Sequence, residues 1–293
     1  MYELKKVTIA SGETIAYRNC GSGDKVILLI HGNQCSSTIF HEFMQRYEYK
    51  ATVYAIDLAG FGESTYNNPH KKMEDWAKDV NEFMEELDLQ KAIVVGHSAG
   101  GGVGLKLASN YPDKVAELVL IASVGLKGFY LPMVDENFIP KVGKFARTYE
   151  EVAGHPSITI VENLIKNKDK VSTKQMWNSS LYKQKLPSDD MYEIYLEEFF
   201  KERCFTDISV ALCQFNITNK KGDGSIEKIT CPTTWIHGKK DQVVQFLIGK
   251  NSAKYFPNKI DFIGLNKAGH MVFHDCPEEF YGHIDEIVEK YAR

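Results

Sequence analysis

Short apolar runs alternating with segments of helical period set the pattern of this 293-residue chain. Val26 to Ile30, Thr52 to Ile56, Ala92 to Val95 and Leu118 to Ala122 are short, apolar and rich in β-branched side chains. A strand with one wet face alternates polar and apolar positions, so an unbroken run reads as a strand covered on both faces. Between these runs, Met73 to Leu87 and Val103 to Asn110 repeat their apolar positions at the helical period. That alternation predicts an α/β fold with a doubly wound, mostly parallel sheet. Lys5 to Ile9 and Thr14 to Asn19, around Ser11-Gly12, predict an edge hairpin ahead of it. The alternation stops after Ser123. It resumes at Thr233 to Ile236 and Ile260 to Gly264, followed by a closing helix from Pro277 to Tyr291. The stretch between, Gly125 to Glu227, is helical in pattern, most clearly at Met191 to Arg203, and has no strand signal that would continue the sheet. The expected organisation is a core in two parts, residues 1–124 and 228–293, with residues 125–227 inserted as a helical cap.

One turn in this frame carries chemistry. Gly96-His97-Ser98-Ala99-Gly100 stands between an apolar strand and a Gly-rich helix start. A turn that sharp strains its central residue, and Cβ atoms two positions either side would collide, which calls for Gly96 and Gly100. The result is a hydroxyl at the top of a sheet, beside a helix N-terminus that favours developing negative charge. Ser98 is therefore the candidate nucleophile.

A serine nucleophile needs a base, and the base an orienting acid. In a doubly wound sheet both belong in loops at the carboxyl ends of strands. Asp241 stands there, after Thr233 to Ile236 by way of His237-Gly238-Lys239-Lys240. Of the nine histidines, His270 stands in a loop directly after a strand, whereas His274 and His283 fall on or near the final helix. His270 and His274 are spaced i, i+4, but no H-E-x-x-H pattern and no third ligand accompany them, so no metal is expected. The two backbone N–H groups of an oxyanion hole are assigned to Ala99, in the elbow, and Asn33, in the loop His31-Gly32-Asn33-Gln34-Cys35. Cys35 has no base placed for it and reads as a buried thiol.

Net charge is −4 with scattered basic residues, which disfavours a nucleic-acid partner. The six cysteines form no C-x-x-C pair, the start at Met1-Tyr2-Glu3-Leu4 has no signal-like pattern, and no apolar run approaches the ~20 residues of a membrane span. A cytoplasmic protein with reduced thiols and a small-molecule substrate is expected. Its oligomeric state is left open.

Together these residues resemble the α/β-hydrolase superfamily. The resemblance spans the chain outside the cap: the His31-Gly32 loop, Asp57-Leu58-Ala59-Gly60-Phe61-Gly62-Glu63-Ser64, the elbow at Ser98, Asp241 and Gly269-His270, in the order Ser, acid, His. It implies the eight-stranded fold of that superfamily, a structural role for Asp57, and a Ser98–His270–Asp241 triad needing no metal or organic cofactor. The first loop also resembles the haloalkane dehalogenase branch. That branch uses an Asp nucleophile followed by Trp, where this chain has Ser98 and Ala99, and Pro where Gln34 stands. The expected activity is hydrolysis of a small carboxylic ester or lactone through an acyl-enzyme. Carbon–carbon bond hydrolysis, thioester cleavage and cofactor-free perhydrolysis would use the same triad, and a non-catalytic small-molecule receptor is the alternative from another class. Within the cap, Phe129, Met133, Trp177 and Phe215 are candidate pocket-lining residues.

Overall fold

The unbroken apolar runs become the middle of a sheet because helices cover both of its faces. The structure, a computed structural model, describes residues 1–291. The chain forms β1 (Leu4–Thr8), β2 (Thr14–Cys20), β3 (Val26–Ile30), β4 (Thr52–Ile56), β5 (Ala92–His97), β6 (Val115–Ile121), a hairpin of β7 (Pro132–Val134) and β8 (Pro140–Phe145), then β9 (Thr233–Gly238) and β10 (Asp261–Leu265). Eight strands build the main sheet in the order β1-β2-β4-β3-β5-β6-β9-β10. β1–β2 and β2–β4 pair antiparallel, and all other pairs are parallel. Alternate residues of β3 serve opposite faces. Ile27 and Leu29 join the cluster of Phe43 and Tyr47 from α1 (His41–Tyr47). Leu28 and Ile30 join that of Trp76 and Phe83 from α2 (Met73–Glu86) and Val103 from α3 (Ala99–Asn110). Each such fully buried side chain contributes about 1.5–3 kcal/mol of transfer free energy.

Between β6 and β9 stand five helices, α4 (Tyr149–Ala153), α5 (Pro156–Asn167), α6 (Lys170–Ser180), α7 (Asp189–Phe199) and α8 (Phe205–Gln214). The chain closes with α9 (Phe246–Ser252), α10 (Val272–Asp275) and α11 (Pro277–Lys290), whose Phe280 and Ile284 cover the α1 face of the sheet. The β7–β8 hairpin is absent from the sequence pattern of the insertion. It forms a sheet of its own, closed by Asp135, whose Oδ1 accepts the N–H groups of Asn137 and Ile139 at 2.9 Å each. Helix α3 begins four residues before the apolar period suggests, at Ala99 rather than Val103.

After β3 the chain adds β4 on one side, then crosses back to place β5 on the other. The carboxyl ends of β3 and β5 are thus neighbours at the point where the winding reverses, the place where doubly wound sheets leave a crevice.

Candidate active site

Two loops meet at that crevice, and glycine is what lets them meet. A Cβ on Gly96 would lie 2.5 Å from the Gly100 carbonyl oxygen, and one on Gly100 would lie 2.3 Å from the Ile30 carbonyl oxygen. A Cβ on Gly32 would lie 2.8 Å from Ser98 Cβ. Ser98 itself takes φ 53°, ψ −115°, a conformation that side chains avoid. Its N–H donates to the Ile121 carbonyl at 2.9 Å, and its own carbonyl accepts from Gly101 N at 3.0 Å and Val124 N at 3.2 Å. The strained residue is held from both sides.

Asp241 follows β9 and is buried. Its Oδ2 accepts from His270 Nδ1 at 2.8 Å, and its Oδ1 accepts the Val243 and Val244 amides at 2.8 and 2.9 Å. A second histidine adjoins it. Trp235 Nε1 donates to His237 Nδ1 at 3.2 Å, which leaves the His237 proton on Nε2, donated to Val244 O at 2.8 Å and 3.3 Å from Asp241 Oδ2. Burial alone would raise the Asp241 pKa, but His270 and His237 outweigh it and hold the carboxyl well below the usual range. In the sequence His237 stands beside the Gly238 turn and is not among the candidate residues. Its signal is the alternation of Trp235 and His237 along one face of β9.

The His270 loop is fixed by the insertion. Leu181, just after α6, accepts both the His270 and Met271 N–H groups at 3.1 Å. Asp275, also missed from sequence, accepts Gly269 N at 2.7 Å, Gln184 N at 2.7 Å and Lys183 N at 2.9 Å, tying the same loop to the α6–α7 connection. His274 is buried on α10 and packs against Tyr182 and Tyr195 of the insertion. His97 is buried too, with Nε2 3.3 Å from the His270 carbonyl. Burial, reinforced by His270, lowers it to about 3, so it stays neutral.

Asn33 and Ala99 stand at the ends of these loops, and neither backbone N–H donates to a protein acceptor among the described residues. Asp57 works elsewhere: its carboxylate accepts the Ser37 and Glu63 amides and joins two turns. Burial raises the Cys35 thiol to about 12. Among the described residues, no three His, Cys, Asp or Glu side chains gather as a metal site.

Ser98, His270 and Asn33 line one cavity of about 230 Å³, roofed by the insertion. Phe129 and Trp177 line it as well, and Trp177 Nε1 donates to Gln34 Oε1 at 2.9 Å. Met133 and Phe215 do not line it. Helix α8 turns Phe205, Ser209, Leu212 and Cys213 to the cavity, an i, i+4, i+7, i+8 stripe. Phe215 stands just past the end of α8, buried with Ile208 and Ala211. Met133 sits in the unanticipated hairpin, half-buried against apolar neighbours.

A family described as "alpha/beta hydrolase fold" matches residues 25–277. The chain is 25% identical over 272 residues to the uncharacterized hydrolase YugF of Bacillus subtilis, covering 91% of each. It is 27% identical over 274 residues to a 2-hydroxy-6-oxononadienedioate/2-hydroxy-6-oxononatrienedioate hydrolase of Cupriavidus pinatubonensis, covering 90% of this chain and 88% of that one. An esterase from Exiguobacterium antarcticum superposes with TM-score 0.75 at 21% identity, over 99% of this chain and 100% of the other.

Proposed function

The chain belongs to the alpha/beta hydrolase family, and from that premise we propose that it is a serine hydrolase of small carboxylic esters or lactones. The observation that carries this reading is the 2.8 Å Asp241–His270 pair, whose His270 lines the same cavity as a strained Ser98. With Asp241 on Nδ1, the His270 imidazole keeps Nε2 as the basic nitrogen. It takes the Ser98 proton as Oγ bonds to the substrate carbonyl carbon, and the imidazolium formed is stabilised by Asp241. The Asn33 and Ala99 amides, free of protein acceptors, receive the oxyanion. Collapse breaks the bond to the leaving alkoxide, which takes the proton from His270. Water then loses a proton to His270 and adds to the acyl carbon. Ser98 leaves with that proton, releasing a carboxylic acid. In this reading residues 125–227 are a cap that selects substrate and supplies none of the three reacting side chains.

Ser98→Ala keeps the elbow's Cβ and removes only Oγ. Its kcat on an aryl ester is expected to fall by about 10⁶, with unchanged thermal unfolding. A serine-directed fluorophosphonate should label wild type and not the variant. Retention of more than a few per cent of activity by clean Ser98→Ala rules the assignment out.

A further inference from the structure

Among the described residues, the wall of the cavity holds no Lys, Arg, Asp or Glu. Apart from Ser98, its hydroxyl groups are engaged within the protein, and the Asn33 and Gln34 carboxamides add N–H groups but no charge. Ser180 Oγ donates to Met176 O at 2.8 Å and Ser209 Oγ to Phe205 O at 2.7 Å. His155 Nε2 lies 2.9 Å from Pro132 O and donates there, which leaves Nδ1 to accept from Ser157 Oγ at 2.8 Å. Trp177 gives its N–H to Gln34. Much of the remaining wall is apolar, including Leu131, Ile158, Val161, Phe205 and Leu212. Behind His270 lies the Asp241 carboxylate, of the same sign as any substrate anion.

Resting on the serine-hydrolase reading, we infer that this site takes esters of uncharged, apolar monocarboxylic acids and excludes acyl groups bearing a second carboxylate. The oxyanion amides serve only the scissile carbonyl. A further carboxylate would have to leave water for a mostly apolar chamber with no cation and, beyond Ser98 itself, no free hydroxyl to receive it, a transfer whose cost is not recovered. Size sets the other bound. A cavity of 150 Å³ holds benzene, so about 230 Å³ has room for about nine non-hydrogen atoms.

The test compares two esters of equal chain length, p-nitrophenyl hexanoate and the mono-p-nitrophenyl ester of adipic acid. They differ in a terminal methyl against a carboxylate. At pH 8 the adipate ester is expected to show kcat/KM lower by about 100-fold or more. If only its protonated form is accepted, the adipate-to-hexanoate ratio should climb about tenfold per pH unit between pH 8 and pH 5, since free carboxyls ionise near 4.3. The ratio cancels any pH dependence of the enzyme that both esters share. Ser180 is half-buried at the end of α6. Ser180→Arg, which brings a cation to the wall, should raise the ratio at pH 8 by at least tenfold. A ratio within threefold of one at pH 8, or one that is flat with pH, overturns the inference while fluorophosphonate labelling of Ser98 keeps the hydrolase reading intact. Absence of both labelling and turnover removes the underlying reading instead.

Discussion

At the scale of single residues, the site runs on neutral and charged groups kept apart by their surroundings. Asp241 is ionised because four donors converge on it. His97, 173 residues away in sequence but ring to ring with His270 at 4.9 Å, is kept neutral by burial. That neutrality has a consequence for stability. The folded state holds His97 at about 3, whereas an unfolded histidine titrates near 6.5. Above pH 6.5 both states are neutral and the group contributes nothing to pH dependence. From pH 6.5 down to about 3 the unfolded chain takes up a proton that the fold refuses, and stability falls by up to about 1.4 kcal/mol per pH unit. Comparing urea unfolding of wild type and His97→Asn isolates this term from other titrating groups such as Glu202, which burial shifts in the opposite sense. Between pH 6 and pH 4.5 the wild-type slope should be steeper by about one proton. Equal slopes would mean that the fold protonates His97.

At the scale of elements, strands were legible and close approaches were not. β3 and β4 span the residues that their apolar runs predict, because a strand buried on both faces leaves no polar position to blur its ends. The triad candidates lie together for a related reason: each follows a strand, and parallel strands share one carboxyl edge. α3 starts early because Gly100, Gly101 and Gly102, poor helix formers by themselves, pack where side chains do not fit. A Cβ on Gly101 would lie 2.2 Å from Ser123 Oγ. No local propensity carries that information. Phe215 turns to the core because it stands just past the end of α8 in extended backbone, where the helical period no longer applies. Glycine context gives a paired prediction. Gly100→Ala should fail to accumulate as folded protein, since backbone oxygens of Ile30 and His31 block the Cβ. Gly282→Ala, in mid-α11 with nothing within 4 Å of the added Cβ, should gain about 0.5–1 kcal/mol and raise Tm by a few degrees. Calorimetry reads both, and a loss of stability in Gly282→Ala would contradict the packing of α11.

At the scale of the whole molecule, no helix among the described residues is long and apolar enough to cross a membrane, and all six cysteines are free. What binds the insertion to the core is a small set of polar ties: Leu181 to the His270 loop, Asp275 to both, and Trp177 to Gln34. Asp275→Ala removes the acceptor of four backbone amides, those of Gly269, Lys183, Gln184 and Lys185, at about 1–3 kcal/mol for each left unpaired out of water. We expect Tm to fall, limited proteolysis to cut first near residues 181–186, and kcat to drop more than KM changes, because the base loses its support while the apolar chamber does not. An unaltered kcat would show that the loop holds its shape without the carboxylate. The double acceptance at Leu181 reaches further than stability. The residue whose carbonyl anchors the His270 backbone also closes α6, its own N–H donating to Trp177 O. On the proposed triad, a swing of the roof on this side would break the same bonds that hold the His270 loop, so opening the cavity and disarming its base would be one event.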